Sequence, residues 1–248
     1  MPAFSTPLRL PAPLSALLCT LLIVGAAQAQ PTGLLNDTGQ TQCDNGINVM
    51  VACTVGNTGD AATYKRQDGR FGRDRAGVAK VGGGAAGFDF TKICFNGDLQ
   101  GAGTCTGTLV ANGTGTATGT PTTDWACTKD NVTNLIWSLQ TQGTVTWNAA
   151  TVSTYPNAGH NTATRCGYST GWRLPTRREL LGIVHSGLST GPMVDANYFP
   201  ATQNSVYWTS DTYAPGPSGA WYVYFVNGST DADLKTSTYF VRLVRSGQ

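Results

Sequence analysis

Gly171-Trp172-Arg173-Leu174-Pro175-Thr176-Arg177-Arg178-Glu179-Leu180-Leu181-Gly182-Ile183-Val184-His185 is the stretch on which the fold is read. Thr176 stands three residues before Glu179, the spacing of a capping box, in which each side chain accepts the other residue's unpaired backbone N–H. Leu180, Ile183 and Val184 then recur at helical spacing, and Gly187 can stop the helix. Downstream the pattern changes to strands: Tyr207 to Ser210, Trp221 to Val226 and Tyr239 to Arg245, with Asn227-Gly228 as a tight turn. Alternation puts Trp221, Val223 and Phe225 on one face and Tyr222, Tyr224 and Val226 on the other. Both faces are apolar or aromatic, so this strand is expected to be central and buried on both sides. The elements together predict an α+β domain with a small antiparallel sheet and one or two helices.

Upstream, Leu135 to Trp137 and Thr144 to Trp147 read as strands, and Asn148 to Val152 as the start of a short helix. All six Trp lie at or after Trp125. The segment Gly101 to Thr123 is nearly all Gly, Thr, Ala and Asn and reads as a linker. Residues 30–124 are therefore expected to be a Gly/Thr-rich extension, with short strands at Val49 to Ala52 and Lys92 to Phe95, and residues 125–248 a separate domain. Gly82-Gly83-Gly84 lacks the Lys-Ser/Thr of a phosphate-binding loop.

The N-terminus sets the compartment. Arg9 precedes an apolar run from Leu14 to Ala27 that ends in Ala27-Gln28-Ala29, a small-x-small cleavage site. Residues 1–29 are expected to be a signal peptide, because a run this short does not span a bilayer, which takes roughly 20 residues. No other segment is apolar enough, so no transmembrane segment is expected after cleavage. Of the seven Cys, Cys19 leaves with the signal, and an even number remains, as in an exported disulfide protein. Spacing favours Cys43 with Cys53, Cys94 with Cys105, and Cys127 with Cys166, since short loops close at low entropic cost. The expected location is the periplasm, the outer surface or the medium.

Composition narrows the function. Charged residues make up 12% of the chain, against roughly 25% in an average soluble domain. The 16 basic residues are matched by 14 acidic ones, and no basic run exceeds two, which argues against nucleic acid as a partner.

Trp172 to Thr176 with its helix resembles the motif of the Lcl C-terminal domain family, named after a collagen-like bacterial adhesin. Tyr207 to Ser210, Ala220 to Val223 and Val241 to Arg245 are similar to further motifs of that family, and Cys127 to Trp137 to its opening segment. The resemblance covers roughly residues 125–248. It implies a C-type lectin-like fold related to formylglycine-generating enzymes, which share the Arg-Leu-Pro-Thr/Ser helix start. It also implies adhesion and binding of sulfated polysaccharides. No collagen repeat is present. No cysteine follows Cys166, whereas the formylglycine-generating relatives depend on redox-active cysteines there.

His160 reads as a surface-loop residue and His185 as a helix-end residue, so no catalytic group and no enzymatic activity are expected. Asp211, Asp231 and Asp233 offer oxygen ligands that suit calcium, but no complete ligand loop is present, so no cofactor is expected. The loops 211–218 and 227–238 flank the same strand. Tyr213, Ser218, Asn227, Asp231 and Asp233 are the candidate ligand-binding residues there, joined by Arg177, a cation in a helix's first turn. Arg173, Arg178, Arg242 and Arg245 are further candidates for anionic ligands. The function expected is an exported, non-enzymatic domain that recognises glycans or surface polymers. The alternative is an envelope module that binds another protein without sugar binding.

Overall fold

A computed structural model describes residues 36–44, 50–52, 72–73, 78–112, 122–151 and 164–247. The expected signal peptide, Cys53, His160 and residues 113–121 of the linker lie outside them. In chain order the strands are β1 (Gln42–Asp44), β2 (Met50–Ala52), β3 (Phe90–Cys94), β4 (Val110–Ala111), β5 (Asp124–Asp130) and β6 (Leu135–Thr146). The helices α1 (Trp147–Thr151) and α2 (Arg177–Leu181) follow, then β7 (Val206–Thr212), β8 (Gly219–Tyr224), β9 (Ser229–Leu234) and β10 (Thr238–Ser246).

The expected α+β, C-type lectin-like architecture is corrected by these elements. The described residues fold as a mostly-β unit, with one eight-stranded mixed sheet, a separate β1–β2 pair, and helices of only five residues each. The reason is visible at α2. Its capping box forms as expected, with Glu179 N–H donating to Thr176 and Thr176 N–H to Glu179. The helix then tightens, because Gly182 N–H donates to both Arg178 O and Glu179 O, Ile183 N–H to Leu180 O and Val184 N–H to Leu181 O. These three-residue turns keep Leu180, Ile183 and Val184 on one side and bury all three without further helix.

The sheet runs β3-β5-β6-β10-β7-β8-β9, and β4 pairs with β5. β10 joins its two halves, antiparallel to β6 and parallel to β7. Both faces of the sheet are covered. Tyr207, Val223, Phe225 and Val244 point into one core with Trp137, Leu180 and Phe199. Trp208, Ala220, Val241 and Leu243 point into the other with Trp172, Leu174 and Ile136. Trp137 and Trp208 are fully buried, and each such ring removes enough apolar surface to stabilise the fold by up to about 5 kcal/mol.

Three further differences bear on the site. β8 is the second strand from the edge, not a central one. The stretch read as a loop at 227–238 contains β9, the edge strand itself. The stretch read as an extension contributes β3 and β4 to the sheet and Phe88 and Phe90 to the first core. Cys94–Cys105 and Cys127–Cys166 form as the spacing predicted. Cys43 is disulfide-bonded as well, and its predicted partner Cys53 lies outside the described residues.

Candidate functional site

The connection from β7 to β8 is a series of tight turns. Tyr213 N–H donates to Gly219 O, Gly216 N–H to Tyr213 O and Gly219 N–H to Gly216 O. Pro215 and Pro217 lie on its exposed rim and restrict its backbone. This holds the Tyr213 ring edge-on to Trp221, with centroids 5.2 Å apart at 80°. Trp221 is the third residue of β8, on the face of Val223 and Phe225 but outside the core that those two fill, so it stays half-buried. The Arg177 guanidinium lies over it, 3.9 Å from the ring centroid. The backbone N–H of Arg177 donates to Asp211 Oδ2 at 2.5 Å, which fastens the first turn of α2 to β7.

Beside this row lies an open cleft of about 280 Å³ lined by Tyr213, Gly216, Ser218, Gly219, Ala232, Asp233 and Leu234. It sits at the small end of ligand sites. Asp233 contributes a carboxylate that is already engaged: Oδ2 accepts from Tyr239 Oη at 2.5 Å and Oδ1 from the Leu234 N–H at 2.7 Å. The Tyr239 hydrogen bond, with the Leu234 N–H, holds the Asp233 carboxyl below the usual range. Burial, with that same bond, pushes the Tyr239 hydroxyl up to about 12.

The structure thus brings Tyr213, Ser218 and Asp233 to one cleft, with Arg177 joined to them through Trp221. Asn227 is not among them. It sits in the turn after β8, at the far end of a six-residue strand, roughly 20 Å away by strand rise. Its side chain accepts the Ser229 N–H. Asp231 lies on the exposed edge strand and accepts the Ala232 N–H. Asp211, Asp231 and Asp233 do not form a metal cluster, and among the described residues there is no group of three His, Cys, Asp or Glu that could hold a metal. His185 is buried beneath Gly39 and tilted against Phe88, and its burial lowers its pKa.

The five arginines divide. Arg173 is bound through both terminal nitrogens to Glu179. Arg245 stacks on Tyr168, 3.4 Å from the ring. Arg242 is fully buried. Arg177 is half-exposed against Trp221, and Arg178 is exposed. Sequence reading missed Trp221 as a site residue, because period-two alternation assigns it to a core face. The signal that could have found it is its position at the strand's start, next to the Pro-rich loop.

Among curated proteins, none matches the chain. The sequence model of the Lcl C-terminal domain matches residues 126–245. No helix among the described residues is long and apolar enough to cross a membrane. The match and the disulfides mark an exported, adhesin-related domain. The part of the chain that carries the cleft, residues 126–245, is thus similar to an Lcl C-terminal domain.

Proposed function

We propose that the Tyr213–Trp221–Arg177 surface, with the adjoining cleft, binds a glycan or surface polymer, and that the domain is a non-enzymatic adhesion module. The observation that carries this reading is the Arg177 guanidinium stacked at 3.9 Å on Trp221 beside the cleft. A guanidinium held over a ring loses less freedom when its N–H donors meet oxygen acceptors. The half-buried rings of Tyr213 and Trp221 offer apolar area to the C–H face of a sugar ring. Ser218 adds an exposed hydroxyl at the rim.

The test is a glycan array with the wild type, Tyr213→Ala and Arg177→Ala, run with and without calcium. Binding that the wild type shows and both variants lose supports the reading. An array that stays blank in both conditions overturns it. If the domain instead engages a protein over a broad face, the two variants lose little affinity for that protein.

A further inference from the structure

β9 has one strand partner, β8, among the described residues, so its other side is a sheet edge. An exposed edge presents a row of backbone donors and acceptors that templates pairing with another chain. The register tells which groups face that edge. Lys235 N–H donates to Ser218 O, one step beyond the Gly219↔Leu234 pair. In an antiparallel ladder the residues of that parity, 231 and 233, turn their backbone groups toward β8, and those of the other parity turn theirs outward. Trp221, which faces Ala232, agrees: its carbonyl points away from β9 and accepts from Thr209 Oγ1 on β7.

The outward donors are therefore those of Thr230, Ala232 and Leu234. Two of the three are taken by the chain's own side chains. Ala232 N–H donates to Asp231 Oδ1 at 2.8 Å, and Leu234 N–H to Asp233 Oδ1 at 2.7 Å. The outward carbonyl of Leu234 accepts from Ser237 N–H at 2.9 Å. An aspartate bonding the N–H of the next residue inside a strand serves no ladder and holds no loop. It occupies the one direction in which a new strand would add. We propose that Asp231 and Asp233 are edge guards, which cover the outward N–H groups of β9 and so keep a second copy of this chain from pairing with it.

The proposal gives the otherwise polar strand Ser-Thr-Asp-Ala-Asp-Leu a purpose. Leu234 is 55% exposed, and without the carboxylates the segment is an uncharged, extended edge ending in an exposed leucine. Two copies meeting antiparallel through β9 also bring the carboxylates of both chains close together, which adds repulsion to the blocked donors.

The experiment compares the full chain with Asp231→Ala, with the double variant Asp231→Ala/Asp233→Ala, and with Asp231→Asn/Asp233→Asn. Sedimentation velocity reads self-association, and amide exchange at Ala232 and Leu234 reads the edge. Removing a hydrogen bond to a charged group speeds exchange of its amide about tenfold, so Ala232 exchanges faster in the single variant and both amides in the double. The alanine double variant associates at concentrations where the wild type is monomeric. The asparagine variant keeps an oxygen acceptor and stays monomeric. The single variant keeps the Asp233–Tyr239 bond and guards against simple unfolding as the cause. Unchanged exchange and a monomeric alanine double variant overturn the proposal. So does an asparagine variant that associates as strongly as alanine, since repulsion alone then guards the edge.

Discussion

Two arginines stacked on aromatic rings mark two unlike regions. In the seam between β6, β10 and the segment around Thr202, Arg242 is fully buried, with Phe199 5.5 Å from its guanidinium. Its terminal nitrogens donate to Ser138 O, Leu139 O, Thr141 Oγ1 and Thr202 Oγ1. No carboxylate pairs with it among the described residues, and burial lowers its pKa. At the rim of β8, Arg177 has the same kind of ring contact, 3.9 Å from Trp221, and is half-exposed. The terminal donors of Arg242 are engaged within the fold, whereas the guanidinium of Arg177 lies at a half-exposed rim. The stacking is common to both. The difference lies in where the hydrogen bonds go.

The comparison breaks most readily at Arg242. Arg242→Ala strands four acceptors and opens a cavity, and a loss of about 3–5 kcal/mol is expected by chemical denaturation. Arg242→Met keeps most of the stem's volume and should lose less. A loss under about 1 kcal/mol for the alanine variant would mean that the seam does not depend on its donors.

Between the extremes stands Arg173, whose partner Glu179 is buried and also closes the capping box. Glu179→Gln should cost about 2 kcal/mol, since it removes a charge-assisted pair but leaves the shape. Burial works to raise the Glu179 pKa, but the Arg173 and Thr176 bonds outweigh it and hold the carboxyl below 4.5. A folded pKa below the unfolded one gives stability that is present above the unfolded value and lost as pH falls through the folded value. The wild type should therefore lose stability below about pH 4.5 more steeply than Glu179→Gln in acid titrations followed by circular dichroism. Parallel acid limbs would remove Glu179 from the account.

The smallest effect on stability belongs to Arg177. Arg177→Ala should change unfolding free energy by less than about 1 kcal/mol, the scale of an exposed cation–π contact. A larger loss would move Arg177 to the structural side of the comparison.

Some of this was legible in the residues. Asn227-Gly228, the alternating aromatics of β8 and the apolar run of β10 announce themselves, because local propensity and tertiary role agree there. β9 did not, since Asp231 and Asp233 lower its strand propensity and the ladder with β8 overrides it. The short reach of α2 was hidden as well, because one helical turn followed by tighter turns presents the same spacing of Leu180, Ile183 and Val184 as a longer helix. Tyr213 and Arg177 were nameable as candidate site residues from chemistry alone. Their meeting across Trp221 was not, because it brings α2 against a hairpin distant from it in sequence.

The placement of β10 has a consequence in time. Among the described residues, the strands β3-β5-β6 and β7-β8-β9 are joined into one sheet only by residues 238–246. Neither half can close the sheet until those residues have left the ribosome. Closure of the sheet thus waits on its most distant pairings, which join segments far apart in the sequence.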